Sequence, residues 1–516
     1  MKMRSIEVKI LICVLLICIV PKLEAQLTPQ EAIIQMGRGI NVGNSLDATP
    51  TETSWGNEPI QEYYFDDIKA AGFSCVRIPV TWKYHTSISS PYSINSAWLN
   101  RVDSVVTWAL KKKLFVIINA HHEDGLKAVN SMDDPLARAD TLAKYDSIWS
   151  QVAYRFKDRS DSLLFEILNE PHDMQQATLD SLNTRILSII RRHNPTRIVL
   201  FSGTAYTGAY DLINASVPDT TDTYLMAYYH SYDPWSFAGE GNGTFGSTSD
   251  ITESDNRFKM VSEWAASNNV PVTLNECGAV KECDYNSRMI FYATYVKQAL
   301  KYNIAINFWD DNGNFQLYDR INRKWDEFKD VIIYTYPESP TKLSYEIIDS
   351  SAILRWVNRT DVNDSIVIEK RSANGFDTLE VVAPDADSIY LPNLEKDVFH
   401  YFRLKTTLHD TLMYSYAIRF KISSETGIFN KPASSTENIL KIYPNPARDL
   451  LNIQTEIVIP GANLSVYNSQ GQRMATSSLM QNETIMNVSG YPKGVYYIQV
   501  EKEERVIYTN SKFIIN

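Results

Sequence analysis

Glu170 closes the apolar run "LLFEILNE" and Glu276 stands in a second one, "PVTLNECG". A carboxylate at the tip of a buried strand must face solvent, a partner or a substrate, because an unpaired buried charge is costly. Glycosidic bond cleavage uses such a pair, one group protonating the leaving oxygen and the other attacking the anomeric carbon or activating water. Further polar residues stand in or end strand-like runs: Arg77 in "CVRIPVTW", His121 and His122 after "LFVIINA", Asn169 before Glu170, His230 after "TYLMAYY" with Tyr232 beyond it, and Trp309 in "IAINFW". Arg77 is expected to favour ionised Glu276, whereas a less solvated Glu170 is expected to keep its proton at neutral pH. Asn169 suits a ring hydroxyl and Tyr232 can donate to the nucleophilic carboxylate. Trp55, Trp82, Trp235 and Trp309 offer flat apolar faces for the C–H surface of a pyranose.

Taken singly, each of these residues has a structural role open to it: a Glu as ion-pair partner, a His or Arg as a packed polar group, a Trp as core. Their gathering on one predicted rim points to a site instead. "HHED" lacks the helical spacing of a zinc motif and no Cys pair lies nearby, so neither a metal nor another cofactor is expected.

The elements that must position these residues are legible. From Gln26 to Tyr336 short apolar runs alternate with longer amphipathic ones, the pattern of βα units around a parallel sheet. Strands are expected at "GRGINVG" from Gly37, then from Cys75, Leu114, Leu163, Arg197, Thr223, Pro271 and Ile304. Eight of them with helix-sized gaps predict an α/β fold, a closed (β/α)8 TIM barrel over 26–336 with its site at the strands' C-terminal ends. An open doubly wound sheet would need a Gly-rich phosphate turn after the first strand, which is missing. "INSAWLNRVDSVVTWALKKK" places Trp98, Val102, Val105 and Ala109 on one helix face and ends in lysines, which suit a helix C-terminus. Trp98, Trp108, Trp149 and Trp264 are read as packing residues.

A chain of 516 residues requires several cores, and its 44% hydrophobic and 22% charged content is globular. The net charge of −11 disfavours nucleic acid and anionic membranes as partners and tolerates a neutral glycan. A basic start, an apolar run too short to span a bilayer, and Ala25 predict a signal peptide over 1–25. Outside it remain Cys75, Cys277 and Cys283; a bridge between the last two is open, but the fold is expected to rest on its core. Past Pro337 short alternating strands predict a β-sandwich over 338–424, a polar linker over 425–438 and a second small all-β sandwich over 439–516.

"GINVGNSLDA", "VRIPVTW", "NEP", "HSYDPWSF", "NECG" and "FWDDNG", in that order, resemble the successive blocks of glycoside hydrolase family 5 cellulases. The resemblance implies a retaining mechanism with Glu170 as acid/base and Glu276 as nucleophile. It implies substrate-binding positions at Asn44, Arg77, His121, His122, Asn169, His230, Tyr232, Trp235 and Trp309. The opening "GINVGNSLDA" and "SWGN" look most like the branch acting on β-1,4-glucans, which implies an endoglucanase with a β-glucan partner; a xyloglucanase or β-mannanase of the same fold, or an inactive surface glycan-binding protein, is the alternative, and a monomer is expected. Asn275 departs from the small residue common before the nucleophile. Residues 338–424 resemble a fibronectin type III-like domain, with Trp356 as core and Tyr401 as a tyrosine-corner candidate. "IYPNPARDLLNI" to the end resembles a type IX secretion sorting domain, which implies a secretion-machinery partner and a secreted or outer-surface location.

Overall fold

The computed structural model describes residues 26–516 except 124, 127–128, 130–131, 359–364, 374, 425–439, 455–461, 470–471, 480–482, 503–504 and 516. The expected signal peptide and linker lie outside the described residues.

Eight parallel strands close into a barrel in sequence order: β1 (Arg38–Asn41), β2 (Cys75–Ile78), β3 (Phe115–Asn119), β4 (Leu163–Glu166), β5 (Val199–Phe201), β6 (Leu225–His230), β7 (Val272–Cys277) and β8 (Ala305–Phe308). β8 returns to β1 with Arg38 opposite Ile306 and Ile40 opposite Phe308. Gly39 is required there by space, since a Cβ would stand 1.9 Å from the Asn307 side-chain oxygen. Helices α1 (Pro29–Met36), α2 (Glu62–Ala71), α3 (Ser96–Lys111), α4 (Pro135–Arg155), α5 (Gln176–Arg191), α6 (Ala209–Leu212), α7 (Trp235–Ala238), α8 (Thr248–Asn268), α9 (Tyr285–Lys301) and α10 (Phe328–Tyr334) accompany the strands.

Their limits follow local chemistry. α3 starts where the Asn95 side chain accepts the Ala97 and Trp98 N–H groups; α8 starts with a reciprocal Ser247–Asp250 cap and stops at left-handed Asn269. α1, capped by Thr28 and Glu31, presses Ala32, Ile33 and Met36 onto an apolar layer that includes Cys75, Ile117, Leu164, Leu200, Met226 and Ala305. That layer closes the N-terminal end of the barrel, so chemistry is confined to the other end.

After a short hairpin, β9 (Tyr318–Asp319) and β10 (Lys324–Trp325), the all-β part begins. Strands β11 (Thr341–Ile348), β12 (Ser351–Val357) and β15 (Ser388–Leu391) form one antiparallel sheet. β13 (Ile366–Ser372), β14 (Gly375–Val382), β16 (Phe399–Leu408), β17 (Thr411–Tyr414) and β18 (Ile418–Lys421) form the other. Trp356, Ile368, Phe402 and Phe420 are buried between them. Tyr401 is no corner residue: it turns outward to pack edge-on against Tyr285 of α9, ring centroids 5.4 Å apart.

This sandwich is clamped to the barrel flank. Asn286 and Arg419 exchange two hydrogen bonds of 2.9 and 2.6 Å, Arg403 bonds Asp330 at 2.7 Å, and Arg371 bonds Glu327 at 2.6 Å. Buried apolar residues of both parts belong to one continuous core. The C-terminal strands β19 (Lys441–Tyr443), β20 (Leu450–Gln454), β21 (Ala462–Asn468), β22 (Arg473–Leu479), β23 (Glu483–Asn487), β24 (Gly494–Lys502) and β25 (Arg505–Ile515) make two further sheets with their own core around Leu451, Val466, Ile498 and Phe513.

Candidate active site

Arg77 on β2 is the hub of the barrel mouth. Its Nη1 donates to Glu276 Oε1 at 2.5 Å and Asn41 Oδ1 at 2.9 Å; its Nη2 donates to Asn169 Oδ1 at 2.7 Å. The remaining donors form a fork onto Glu166 of β4, Nε to Oε2 at 2.7 Å and Nη2 to Oε1 at 2.6 Å. Asn119 and Asn275 each donate a side-chain N–H to Glu166, at 2.8 and 2.7 Å. All five Arg77 N–H groups therefore have acceptors inside the barrel, as a buried guanidinium requires. Asn275, the departure from the family pattern, is thereby explained: a small residue there would remove one donor from Glu166.

Glu276 lies almost fully buried on β7, with Tyr232 donating to its Oε2 at 3.0 Å and His230 Nδ1 at 3.6 Å. The same His230 nitrogen lies 3.0 Å from Glu170 Oε1. One oxygen from each carboxylate and a ring nitrogen of His230 lie within 4.8 Å of one another. Glu170 follows the last strand residues in a left-handed conformation, φ 42°, which swings its side chain over the mouth.

The two glutamates are solvated in the reverse of the sequence expectation. The Glu170 side chain keeps 30% of its exposure and that of Glu276 only 7%. Glu170 has passed the end of β4 into the loop, whereas Glu276 is still within its strand. Burial pushes the Glu276 carboxyl above its ordinary pKa; His230 and Arg77 oppose that rise and Glu170 adds to it. Arg77 thus pulls in the expected direction but does not outweigh desolvation. Glu166 ends on the other side: burial raises it, and the Arg77 fork brings it net below the usual range.

Most other predicted residues converge here. The His121 ring lies parallel to the Trp309 indole, centroids 6.1 Å apart, and His122 stands edge-on to both His121 and Trp55. Trp309 is half-buried over Gly43, where a Cβ would come within 2.6 Å of the indole. Trp235 is 57% exposed beside Tyr232. Asn44, left-handed at φ 53°, is half-buried at the β1 loop; its N–H donates to Asp47 and its carbonyl accepts from Asn57.

Trp82 does not join them. It is buried and donates its indole N–H to the Asn119 carbonyl, so it offers no sugar face. Cys75, Cys277 and Cys283 are all free and buried. Asp47, His121 and His122 bring ligand-type atoms within 4.8 Å of one another, but both Asp47 oxygens already accept backbone N–H groups from Asn44 and Ser45.

Two features escaped the sequence reading. One is Glu166, whose signal is a charged residue inside an otherwise apolar strand. The other is Tyr206, exposed in a loop beside Glu170. Its N–H donates to the Pro171 carbonyl, its ring stacks on His172 at 4.5 Å, and Ala205, Tyr206 and Thr207 are left-handed in succession.

A (β/α)8 barrel carrying a close carboxylate pair over its C-terminal mouth is the architecture of a glycoside hydrolase. Residues 40–315 match the Cellulase family, glycosyl hydrolase family 5, and the chain belongs to it. Residues 441–516 match the secretion system C-terminal sorting domain, so the chain carries a type IX export signal and is directed to the outer surface or the extracellular space.

Endoglucanase H of Acetivibrio thermocellus is 39% identical over 305 residues, 58% of this chain and 33% of that protein. The chain thus spans about a third of that relative's length. Cel5A of Thermotoga maritima, solved with mannotriose, is 31% identical and covers 59% of this chain and 100% of its own, at a TM-score of 0.55. A tri-modular endo-β-1,4-glucanase of the family from Bacillus licheniformis, solved with cellotetraose, covers 95% of this chain and 99% of its own at a TM-score of 0.66; at 24% identity that likeness concerns the fold alone.

Proposed function

We propose that the protein is an exported endo-β-1,4-glucanase that cleaves internal bonds of cellulose or a related β-glucan with retention of configuration. The observation that carries this reading is the closeness of the carboxylates, with oxygens of Glu170 and Glu276 inside 4.8 Å. Retaining enzymes hold their carboxyl groups about 5–5.5 Å apart, inverting ones about 6.5–9.5 Å to admit water between them.

Glu170, the more exposed of the two, donates its proton to the glycosidic oxygen as Glu276 attacks the anomeric carbon. The carbon–oxygen bond to the leaving sugar breaks and a glycosyl ester forms on Glu276. Glu170, now ionised, removes a proton from water, which displaces Glu276 and regenerates both groups. Arg77 and Tyr232 hold the attacking carboxylate by one oxygen each. With its Oδ1 engaged by Arg77, Asn169 has its amide N–H left for a substrate hydroxyl. Trp309, Trp55 and Trp235 supply apolar faces along the cleft.

Reducing-sugar release by the full chain on carboxymethylcellulose, barley β-glucan, xyloglucan and glucomannan tests the reading, with Glu170→Ala and Glu276→Ala as controls. Activity on a β-glucan that both substitutions abolish is expected. A folded protein inactive on all four would overturn it. The mannotriose-bound relative favours glucomannan as the second substrate to examine.

A further inference from the structure

Every partner of Glu166 is a donor. Each of its oxygens accepts one Arg77 N–H and one side-chain amide N–H, from Asn119 on Oε1 and Asn275 on Oε2. The residue is wholly buried and beyond reach of substrate, so it is no acid or base for the reaction. Nor is it needed to satisfy the barrel's apolar layer, which lies one pleat below it. Four donors converging on one buried carboxylate instead make it the fixed point of the network that ends on the nucleophile.

We propose that Glu166 is a positioning residue for Glu276: it pins the Arg77 guanidinium as a fork, so that a single N–H reaches the nucleophile, and it takes up charge that would otherwise fall there. This rests on the hydrolase reading of the site. A guanidinium released from Glu166 would rotate toward Glu276 and face it with its whole charge. A carboxylate so neutralised is a poorer nucleophile.

Among the described residues the one carboxylate that shares Arg77 with Glu166 is Glu276 itself. The titratable groups that face it are Arg77 from β2, Tyr145 from α4, Tyr228 and His230 from β6; Glu276 is faced by Arg77, His230, Tyr232, Glu170 and Cys277. Removing the Glu166 charge acts on Glu276 in one direction, both by lost repulsion and by freed Arg77 attraction: the nucleophile becomes more acidic.

The experiment compares wild type, Glu166→Gln and Glu166→Asp as full chains, in kcat/KM against pH on the best of the four glucans. A thermal melt of each variant checks folding. For Glu166→Gln the acid limb should move to lower pH, as expected when Arg77, already bonded to Glu276, no longer shares its charge with a second carboxylate. Its kcat should fall by up to about 100-fold, the cost of a displaced reacting group, with KM little changed. Glu166→Asp, which keeps the charge but shortens the reach, should lose kcat with the acid limb unmoved.

A folded Glu166→Gln with the wild-type acid limb overturns the proposal, as does Glu166→Asp with wild-type kcat. The second arm stands if Glu166→Gln does not fold. Titration of the Glu276 carboxyl by carbon-13 NMR, assigned with Glu276→Gln, gives the same shift without turnover. It therefore separates failure of this proposal from failure of the glucanase reading.

Discussion

The two ends of the barrel interior are built from the same strands, one pleat apart, and obey different rules. Toward the N-terminal end the strands contribute Cys75, Ile117, Leu164, Leu200 and Ala305. Two residues further along the same strands or their extensions stand Arg77, Asn119, Glu166, Ser202 and Asn307, all buried. The first layer is held by apolar contact, which has no direction and forgives small adjustments. The second is held mainly by donors matched to acceptors around Arg77 and Glu166, with the Asn307 side-chain oxygen left without a donor, and each further missing partner there leaves a buried polar group behind. Stability concentrates in the lower layer and chemistry in the upper, about 7 Å away at the rise of a strand.

Substitutions should separate the layers. The largest effect is expected at the carboxylates: Glu276→Ala and Glu170→Ala should each lower kcat by about 100- to 10⁴-fold or more. Glu170→Ala should melt near wild type, whereas Glu276→Ala should melt lower, because it leaves a buried Arg77 N–H without its acceptor. In the lower layer Leu200→Ala should remove about 2–5 kcal/mol of stability by denaturant unfolding, yet leave kcat per folded molecule unchanged. Loss of kcat there would mean that the layers are coupled.

Asn275→Ala lies between the two. Removing one donor from Glu166 should cost about 1–3 kcal/mol and should also lower kcat, because the atom lost belongs to the network that ends on Glu276. Outside the barrel axis, Tyr206→Ala should reduce kcat/KM on long gluco-oligosaccharides by about 2- to 10-fold, the worth of one aromatic stacking face, with unchanged stability.

A separate effect, on stability alone, is its dependence on pH. Glu123 accepts the Trp82 and Lys83 N–H groups in a buried position, and burial raises its pKa from 4.5 to about 7; burial likewise raises Asp47 from 3.8 to about 6. Both bind a proton more tightly folded than unfolded. Their contribution is therefore full below the unfolded values and is lost as pH rises through about 6 and about 7. Glu123→Gln should show a smaller fall in melting temperature between about pH 5 and about pH 8 than wild type.

The site was legible at its outermost tier and at Arg77, a lone cation inside an apolar run, but not in the rest of the upper layer. Glu170, His230, Glu276 and Trp309 stand where an apolar run stops, and that stop is visible in the sequence. Glu166 hides inside "LLFEILNE" because the run continues past it, and its partners Arg77, Asn119 and Asn275 lie on three other strands. Trp82 and Trp309 look alike in sequence, each just beyond a strand, but the chain turns Trp82 inward against Asn119. The solvation of the two glutamates was misread for a related reason: both stand in or after an apolar run, and pattern does not show that β4 stops at Glu166, four residues before Glu170, while β7 continues through Glu276 to Cys277.

The sandwich clamped to the barrel flank bears on how the enzyme can be handled. A cut after Tyr336, where the barrel pattern ends in the sequence, would strip Tyr285, Asp330 and Glu327 of Tyr401, Arg403 and Arg371 and bare a strip of aromatic surface to water. The smallest well-behaved catalytic piece therefore ends near Ser424, and the sandwich travels with the barrel as ballast rather than as a hinge.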